Sequence, residues 1–515
     1  MARRSLSRRE FGIASASAVA GALVLGHQVG IAQDATPAPE GSPSGGPAYV
    51  PPAGVTVYAE GLLNPRYITF DGEDTLYISE AGDGGTDAHY APAGEGTPAA
   101  TEALSYSGLT GQVTKITTAG ERSVLTGGLP SYTFGSEIVG PAGIVFADSK
   151  LYLGIGGPGP ATALIEPMPM QDSVVAIDVS TGTATLVADI GAYERASNPD
   201  PNAVDSNLYG TTIGEDGMIY QADAGGNTVY KVDPASGTLS VLAVLPGVPM
   251  PGFKNPERGG AEEIDPVPTG VAAAPGGGVY VGELTGGPFP PGAASVLKIG
   301  DDGSISTVAK GLTMVTGVTT ASDGTIYAVQ ISENFLAQPP APGSLVKIDP
   351  TTGAVTPVLG GLPIPNDVAF DSQGNAYVVI FTTAAQGTPP MGMILKVDLT
   401  QLGPVSTPDA GTGTEATPDS STATGGGTVL ELETVDIAFK PTKLEAPAGD
   451  ITVNVKNSGF LPHDFSITEL SVDTGDIPAG GTASVSFNAP AGTYTYFCSV
   501  PGHRDAGMVG TLTVS

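Results

Sequence analysis

Cys498-Ser499-Val500-Pro501-Gly502-His503-Arg504-Asp505-Ala506-Gly507-Met508 reads as a short loop between two strands, and it carries a thiol, an imidazole and a thioether. Upstream, Phe460-Leu461-Pro462-His463 brings a second imidazole from a strand elsewhere in the chain. His463, Cys498, His503 and Met508 together are the donor set of a type 1, or blue, copper site. Sulfur donors hold Cu(I), imidazoles suit both oxidation states, and a long axial thioether bond changes little when one electron moves.

Scarcity sharpens this reading. A lone cysteine is usually an inert buried side chain, but Cys498 is the only one in 515 residues, and two of the four histidines fall at ligand positions. Zinc would take a second Cys, His or carboxylate in place of Met508. The expectation is one type 1 copper per chain, with Cys498, His463 and His503 in a trigonal plane and Met508 as the weak axial ligand.

Residues 429–515 resemble the cupredoxins of the plastocyanin, auracyanin and azurin kind. The resemblance rests on Ile437-Ala438-Phe439-Lys440-Pro441, Ala448-Gly449-Asp450-Ile451-Thr452-Val453, Asn457-Ser458-Gly459 and Gly492-Thr493-Tyr494-Thr495-Tyr496-Phe497-Cys498. It implies a Greek-key β-sandwich that binds copper and transfers single electrons. It also implies an apolar docking surface of Phe460, Leu461, Pro462, Val500 and Pro501 around the edge of His503. The spacings from Cys498 to His503 and from His503 to Met508 look more like auracyanin than plastocyanin. One departure stands out: Asp464 follows the first histidine, where many cupredoxins carry Asn. An Asn amide can donate hydrogen bonds and an ionised Asp only accepts, so the departure bears on the reduction potential rather than on the metal.

Ahead of this segment, residues 55–402 repeat themselves. A hydrophobic-Tyr pair after a Gly/Asp turn recurs as Leu76-Tyr77, Leu151-Tyr152, Ile219-Tyr220, Val279-Tyr280, Ile326-Tyr327 and Ala376-Tyr377. A short apolar strand precedes each pair. An alternating strand with a central Lys follows it, as in Val113-Thr114-Lys115-Ile116 and Val229-Tyr230-Lys231-Val232; the second repeat has Ala176 in place of Lys. Four short strands per repeat is the pattern of a propeller blade. The sixth repeat lacks a fourth strand, while Val55-Thr56-Val57-Tyr58 stands spare before the first. That spare strand is expected to complete the last blade, which removes two exposed edges. The chain is therefore read as all-β: a six-bladed β-propeller followed by a cupredoxin domain.

Residues 55–402 resemble the NHL and SMP-30-like propellers, and most of all the exported propeller family associated with scytonemin biosynthesis (ScyD/ScyE-like). The phrases that carry this are Gly61-Leu62-Leu63-Asn64-Pro65-Arg66-Tyr67-Ile68-Thr69-Phe70-Asp71-Gly72 and Pro141-Ala142-Gly143-Ile144. SMP-30-like lactonases hold a divalent metal with Glu, Asn and Asp at the starts of inner strands. Here only Asn366 and Asp367 have that chemistry, so an electron carrier is expected rather than an enzyme. Glu80, Asp223 and Glu283, after the second strands, are candidate ligands for a calcium ion. Long insertions at 81–110, 157–171, 284–294, 332–343 and 382–392, and between blades at 191–206 and 246–266, emerge on one face. Asp200, Asp205, Glu257, Glu262, Glu263 and Asp265 make that face an expected acidic contact surface.

Ser7-Arg8-Arg9-Glu10-Phe11 ahead of an apolar run looks like a twin-arginine signal, so residues 1–32 read as a signal peptide. Residues 33–54 read as a disordered tether, and residues 403–428, rich in Thr, Pro, Gly, Asp and Ser, as a flexible linker. Export would place the protein in the periplasm, at the cell surface or outside the cell, with membrane contact only through an uncleaved signal. The net charge of −32 argues against binding nucleic acid. It favours a redox partner protein whose docking face is basic or neutral. The competing reading is a copper-binding or storage module, on an adhesion or ligand-binding propeller, with no electron-transfer role.

Overall fold

A Tyr on the second strand of every repeat meets, in five of the six, a Lys on the third, and this pairing recurs through the blades. Tyr77, Tyr220, Tyr280, Tyr327 and Tyr377 stand directly opposite Lys115, Lys231, Lys298, Lys347 and Lys396, while Tyr152 faces Ala176. Lys231 and Lys396 place their ammonium groups 5.3 and 5.2 Å from the facing ring centroids, within cation–π range. The hydroxyls of Tyr77, Tyr220 and Tyr377 donate to Asp71, Asp216 and Asp371 of the preceding turn. Turn acid, ring and ammonium form one interlocked unit.

The computed structural model describes residues 49–89, 105–134, 137–158, 168–202, 205–255, 258–335, 340–383, 390–402, 428–435, 438–457, 463–470, 472–475, 477, 481–499, 504 and 508–515. The expected signal peptide, the tether before residue 49, the linker at 403–427, His503 and the apolar residues expected around it lie outside these. Two units follow along the chain, and each is described by itself.

Among the described residues, the first unit contains six antiparallel blade sheets in sequence and a two-stranded ribbon, Val248–Pro249 with Glu263–Ile264. Blade 1 comprises Pro65–Phe70, Leu76–Glu80, Ser105–Ile116 and Arg122–Phe134. Blade 2 comprises Pro141–Ala147, Lys150–Ile155, Ser173–Asp178 and Ala184–Asp189. Blades 3, 4 and 5 repeat the order from Leu208–Ile213, Pro268–Ala273 and Val315–Thr320. Blade 6 takes Val368–Phe370, Ala376–Ile380 and Gly392–Val397 from the end of the unit and Val55–Leu62 from its start. This is the closure expected from the spare strand.

First strands of consecutive blades touch around the ring, and the last touches the first. The third residue of four of them is glycine: Gly143, Gly210, Gly270 and Gly317. A Cβ at each would come within 2.2–2.6 Å of the neighbouring strand's backbone, so only glycine permits blades to approach this closely.

The described parts of two insertions carry regular structure. In the 81–110 insertion, Asp87–His89 pairs with a lengthened third strand, and Glu137–Val139 adds a further strand to blade 1. The 191–206 insertion carries an α-helix, Ile190–Ser197, with Asp189 as N-cap accepting the Ala192 N–H at 2.7 Å. The expected acidic face is also partly turned inward. Asp200 and Asp265 are buried, because Arg258 pairs with Asp265 at 2.8 Å, Glu263 at 2.5 Å and Asp200 at 3.7 Å. Asn227 donates to both buried acids. That network ties the two inter-blade insertions together. Glu257 lies outside the described residues.

The second unit is a two-sheet sandwich. One sheet orders Ala438–Lys440, Thr428–Val435, Gly449–Asn457 and Thr482–Ala489; the other orders Lys443–Ala446, Val509–Val514, Gly492–Phe497, Ser466–Ile467 and Val472–Asp473. Alternation in Ile451, Val453 and Val455 turns one face of a strand inward against Phe465, Tyr496 and Leu512 from the facing sheet. Phe439 and Tyr496 meet edge-on at 5.0 Å, and the Tyr496 hydroxyl donates to the Pro441 carbonyl at 2.8 Å. Gly510 faces this ring, where a Cβ would lie 2.1 Å from Cζ of Tyr496. Among the described residues of both units, no helix is long and apolar enough to cross a membrane.

Candidate metal centre

Cys498 directly follows the strand Gly492–Phe497, and its N–H donates to the Met508 carbonyl at 3.1 Å. That bond pinches the ligand loop shut at its base, so both sulfur residues start from one point. His463 arrives from the other direction. Its backbone exchanges two hydrogen bonds with Ile477, and the Asn457 side-chain amide donates to the same Ile477 carbonyl at 2.8 Å. The result places Cys498 Sγ 3.9 Å from His463 Nδ1. His463, Cys498 and Met508 are all fully buried, and Cys498 and Met508 share the sandwich core.

Asp464 frames the pair. Its N–H donates to Cys498 Sγ at 3.5 Å, which favours the thiolate over the thiol. Its carboxylate accepts the Ser499 N–H, the Ser499 hydroxyl and, at 3.0 Å, the Ser466 hydroxyl. Beside the loop, the Arg504 guanidinium stacks 4.0 Å over the Phe497 ring. A thiol and an imidazole nitrogen converging in a dry core, with a thioether residue at the loop base, fit a soft or borderline metal ion. His503, the fourth expected donor, lies outside the described residues.

In the propeller, Asn366 and Asp367 are engaged in hydrogen bonds to the backbone of blade 1. The Asn366 amide donates to the Arg66 carbonyl at 2.7 Å, and the Asp367 carboxylate accepts the Ile68 N–H at 3.1 Å. Both groups stitch blade 6 to blade 1, and the Tyr209 hydroxyl, which accepts from the Arg66 guanidinium, donates to Asn366 Oδ1 at 3.4 Å. Glu80 is likewise engaged, accepting from the Leu63 N–H, the Gln112 amide and the Thr114 hydroxyl. Burial pushes Glu283 up to about 7. Among the described residues, no group of three His, Cys, Asp or Glu side chains stands ready to hold a metal.

Fold and donor set define the second unit as a cupredoxin domain. A family model described as a cupredoxin-like domain matches residues 415–514. Chloroplastic plastocyanin of Pisum sativum is 38% identical over 96 residues, an alignment covering 15% of this chain and 52% of that protein. Auracyanin-B of Chloroflexus aurantiacus is 56% identical over 43 residues, covering 8% of this chain and 18% of that protein. The chain thus spans about half or less of the length of these two relatives. For the propeller, a solved gluconolactonase structure from Xanthomonas campestris is similar at 12% identity and TM-score 0.41, covering 70% of this chain and 99% of that one.

Proposed function

We propose that this is an exported blue copper protein. In this reading the C-terminal domain binds one copper ion through His463, Cys498, His503 and Met508 and passes single electrons to and from a protein partner. The observation that carries the proposal is the 3.9 Å approach of Cys498 Sγ to His463 Nδ1 in the buried core. Copper, when bound, supplies a one-electron couple. The protein's own part is rigidity. Ile477 fixes the His463 backbone, the Met508 carbonyl fixes Cys498, and Asp464 holds Ser499, so little moves when the charge changes. The propeller serves as a scaffold or partner-binding module, and the twin-arginine-like start of the chain supports export.

The test is metal stoichiometry on the full chain. One copper per chain is expected after reconstitution, and Cys498→Ser is expected to lose the coloured form. Copper bound with the same spectrum in wild type and Cys498→Ser would refute the assignment. If copper binds but voltammetry shows no reversible couple, the storage reading takes its place.

A further inference from the structure

Where the insertion before blade 3 meets that blade lie two buried carboxylates with no ion pair among the described residues. Glu194, on the helix Ile190–Ser197, and Asp223, ending the strand Ile219–Asp223, are both 0% exposed. Asp223 occupies the place that Glu80 holds in blade 1, and its Oδ1 does comparable structural work, accepting the N–H groups of Asn207, Gly225 and Gly226. Glu80 uses both its oxygens this way; Asp223 does not. Its Oδ2 is buried without a hydrogen-bond partner, as is Oε2 of Glu194. Oε1 of Glu194 accepts the Tyr230 hydroxyl at 2.6 Å.

These groups face one another across Gly226. A Cβ built on Gly226 would lie 2.6 Å from Glu194 Oε1, 3.2 Å from Asp223 Oδ2 and 3.2 Å from the Asp205 carbonyl oxygen. Three oxygens from three segments therefore surround a space that only a glycine leaves open. The Ser206 hydroxyl stands beside Asp223, outside hydrogen-bond geometry. Among the described residues, every ion pair made by Lys or Arg goes to another acid. Two ionised carboxylates in a dry interior are strongly disfavoured unless a cation or a proton joins them.

We propose that Glu194 and Asp223, with the Asp205 carbonyl, bind a divalent cation of the calcium class. Every donor is an oxygen, which selects a hard cation over zinc or copper. Calcium accepts irregular mixtures of carboxylate, carbonyl, hydroxyl and water, whereas magnesium demands near-ideal octahedral geometry. With only two carboxylates converging, the remaining positions fall to Asp205, Ser206 and water. The ion would tie the helix, the inter-blade insertion and the blade together. Its competitor is the proton: burial and the Asp223 charge push Glu194 up to about 8, and burial pushes Asp223 up to about 6.

The experiment uses the chelator-treated full chain, titrated with calcium chloride, magnesium chloride or terbium chloride. Saturable binding of one calcium is expected, with a rise in the propeller's melting temperature. Terbium emission, sensitised through tyrosine because Tyr230 touches Glu194, should appear and be displaced by calcium. Glu194→Gln and Asp223→Asn should each weaken calcium binding at least tenfold. Asp223→Asn risks misfolding, since Oδ1 anchors three N–H groups; Glu194→Gln and the wild-type terbium signal do not share that risk. No calcium response and no sensitised terbium emission between pH 6 and 9 would overturn the proposal and leave the pair to a shared proton. Unchanged calcium affinity in Glu194→Gln would overturn it equally.

Discussion

The Asp464 carboxylate accepts both the backbone N–H and the hydroxyl of Ser499. The residue after one proposed copper ligand, His463, is thereby clamped to the residue after another, Cys498. Replacing Asp464 with Ala strands a Ser499 N–H and should destabilise the domain by about 1–3 kcal/mol. Asp464→Asn keeps an acceptor for the N–H but removes a negative charge beside the thiolate. Its reduction potential should exceed that of the wild type, read by voltammetry on copper-loaded protein. Equal potentials would show that the carboxylate has no electrostatic part in the site.

The close approach of Gly510 to the Tyr496 ring leads to a packing prediction. The ring is fully buried and held by Pro441, so it cannot yield to a methyl group. Gly510→Ala should cost about 1–3 kcal/mol through overpacking, and Tyr496→Phe about 1 kcal/mol through the lost hydrogen bond. Denaturant unfolding of the metal-free protein measures both. An unchanged midpoint in Gly510→Ala would contradict the packing described.

Ring closure rests on Val55–Leu62 pairing with Gly392–Val397. Deleting residues 55–62 leaves the third strand of blade 6 as a bare edge. The truncated propeller should lose its cooperative thermal transition and aggregate, while copper binding by the C-terminal domain persists. A soluble truncated protein with wild-type melting would show that the strand is dispensable.

Asp367 gives the propeller a pH dependence. Burial pushes its carboxyl up to about 7 from an ordinary value of 3.8. Between those limits the folded chain holds a proton that the unfolded chain has released. Stability is therefore greatest on the acid side and falls as pH rises towards 7, by at most about 1.4 kcal/mol per pH unit from this group. Asp367→Asn, which still accepts the Ile68 N–H, should make the profile measured by urea unfolding in chelator less steep, the remaining slope coming from the raised Glu194, Asp223 and Glu283. Parallel profiles for the two proteins would contradict this.

Much of this architecture was legible in the residues. Cys498 and the histidines were conspicuous because so few exist in the chain, and the Tyr–Lys pairs repeat in five of the six blades. Other features were not legible, each for a physical reason. The helix Ile190–Ser197 is two turns long, too short for a 3.6-residue period to emerge. The pairing of Arg258 with Asp200 and Asp265 is tertiary, so acids that read as surface are buried. Asp464 could be seen as an unusual neighbour of His463, but its hold on Ser499 depends on two loops meeting. Asp223 and Glu80 look equivalent in sequence; the difference is that side chains engage the second oxygen of Glu80 and leave that of Asp223 without a hydrogen bond.

The most direct test is the optical and electrochemical behaviour of the full chain loaded with copper under oxidising conditions. The proposed site requires an intense absorption towards the red, carried by the Cys498 thiolate. That band should bleach fully on uptake of one electron per copper and return on reoxidation, over repeated cycles. A copper-loaded protein that stays colourless, or one whose colour never returns after reduction, would contradict the account.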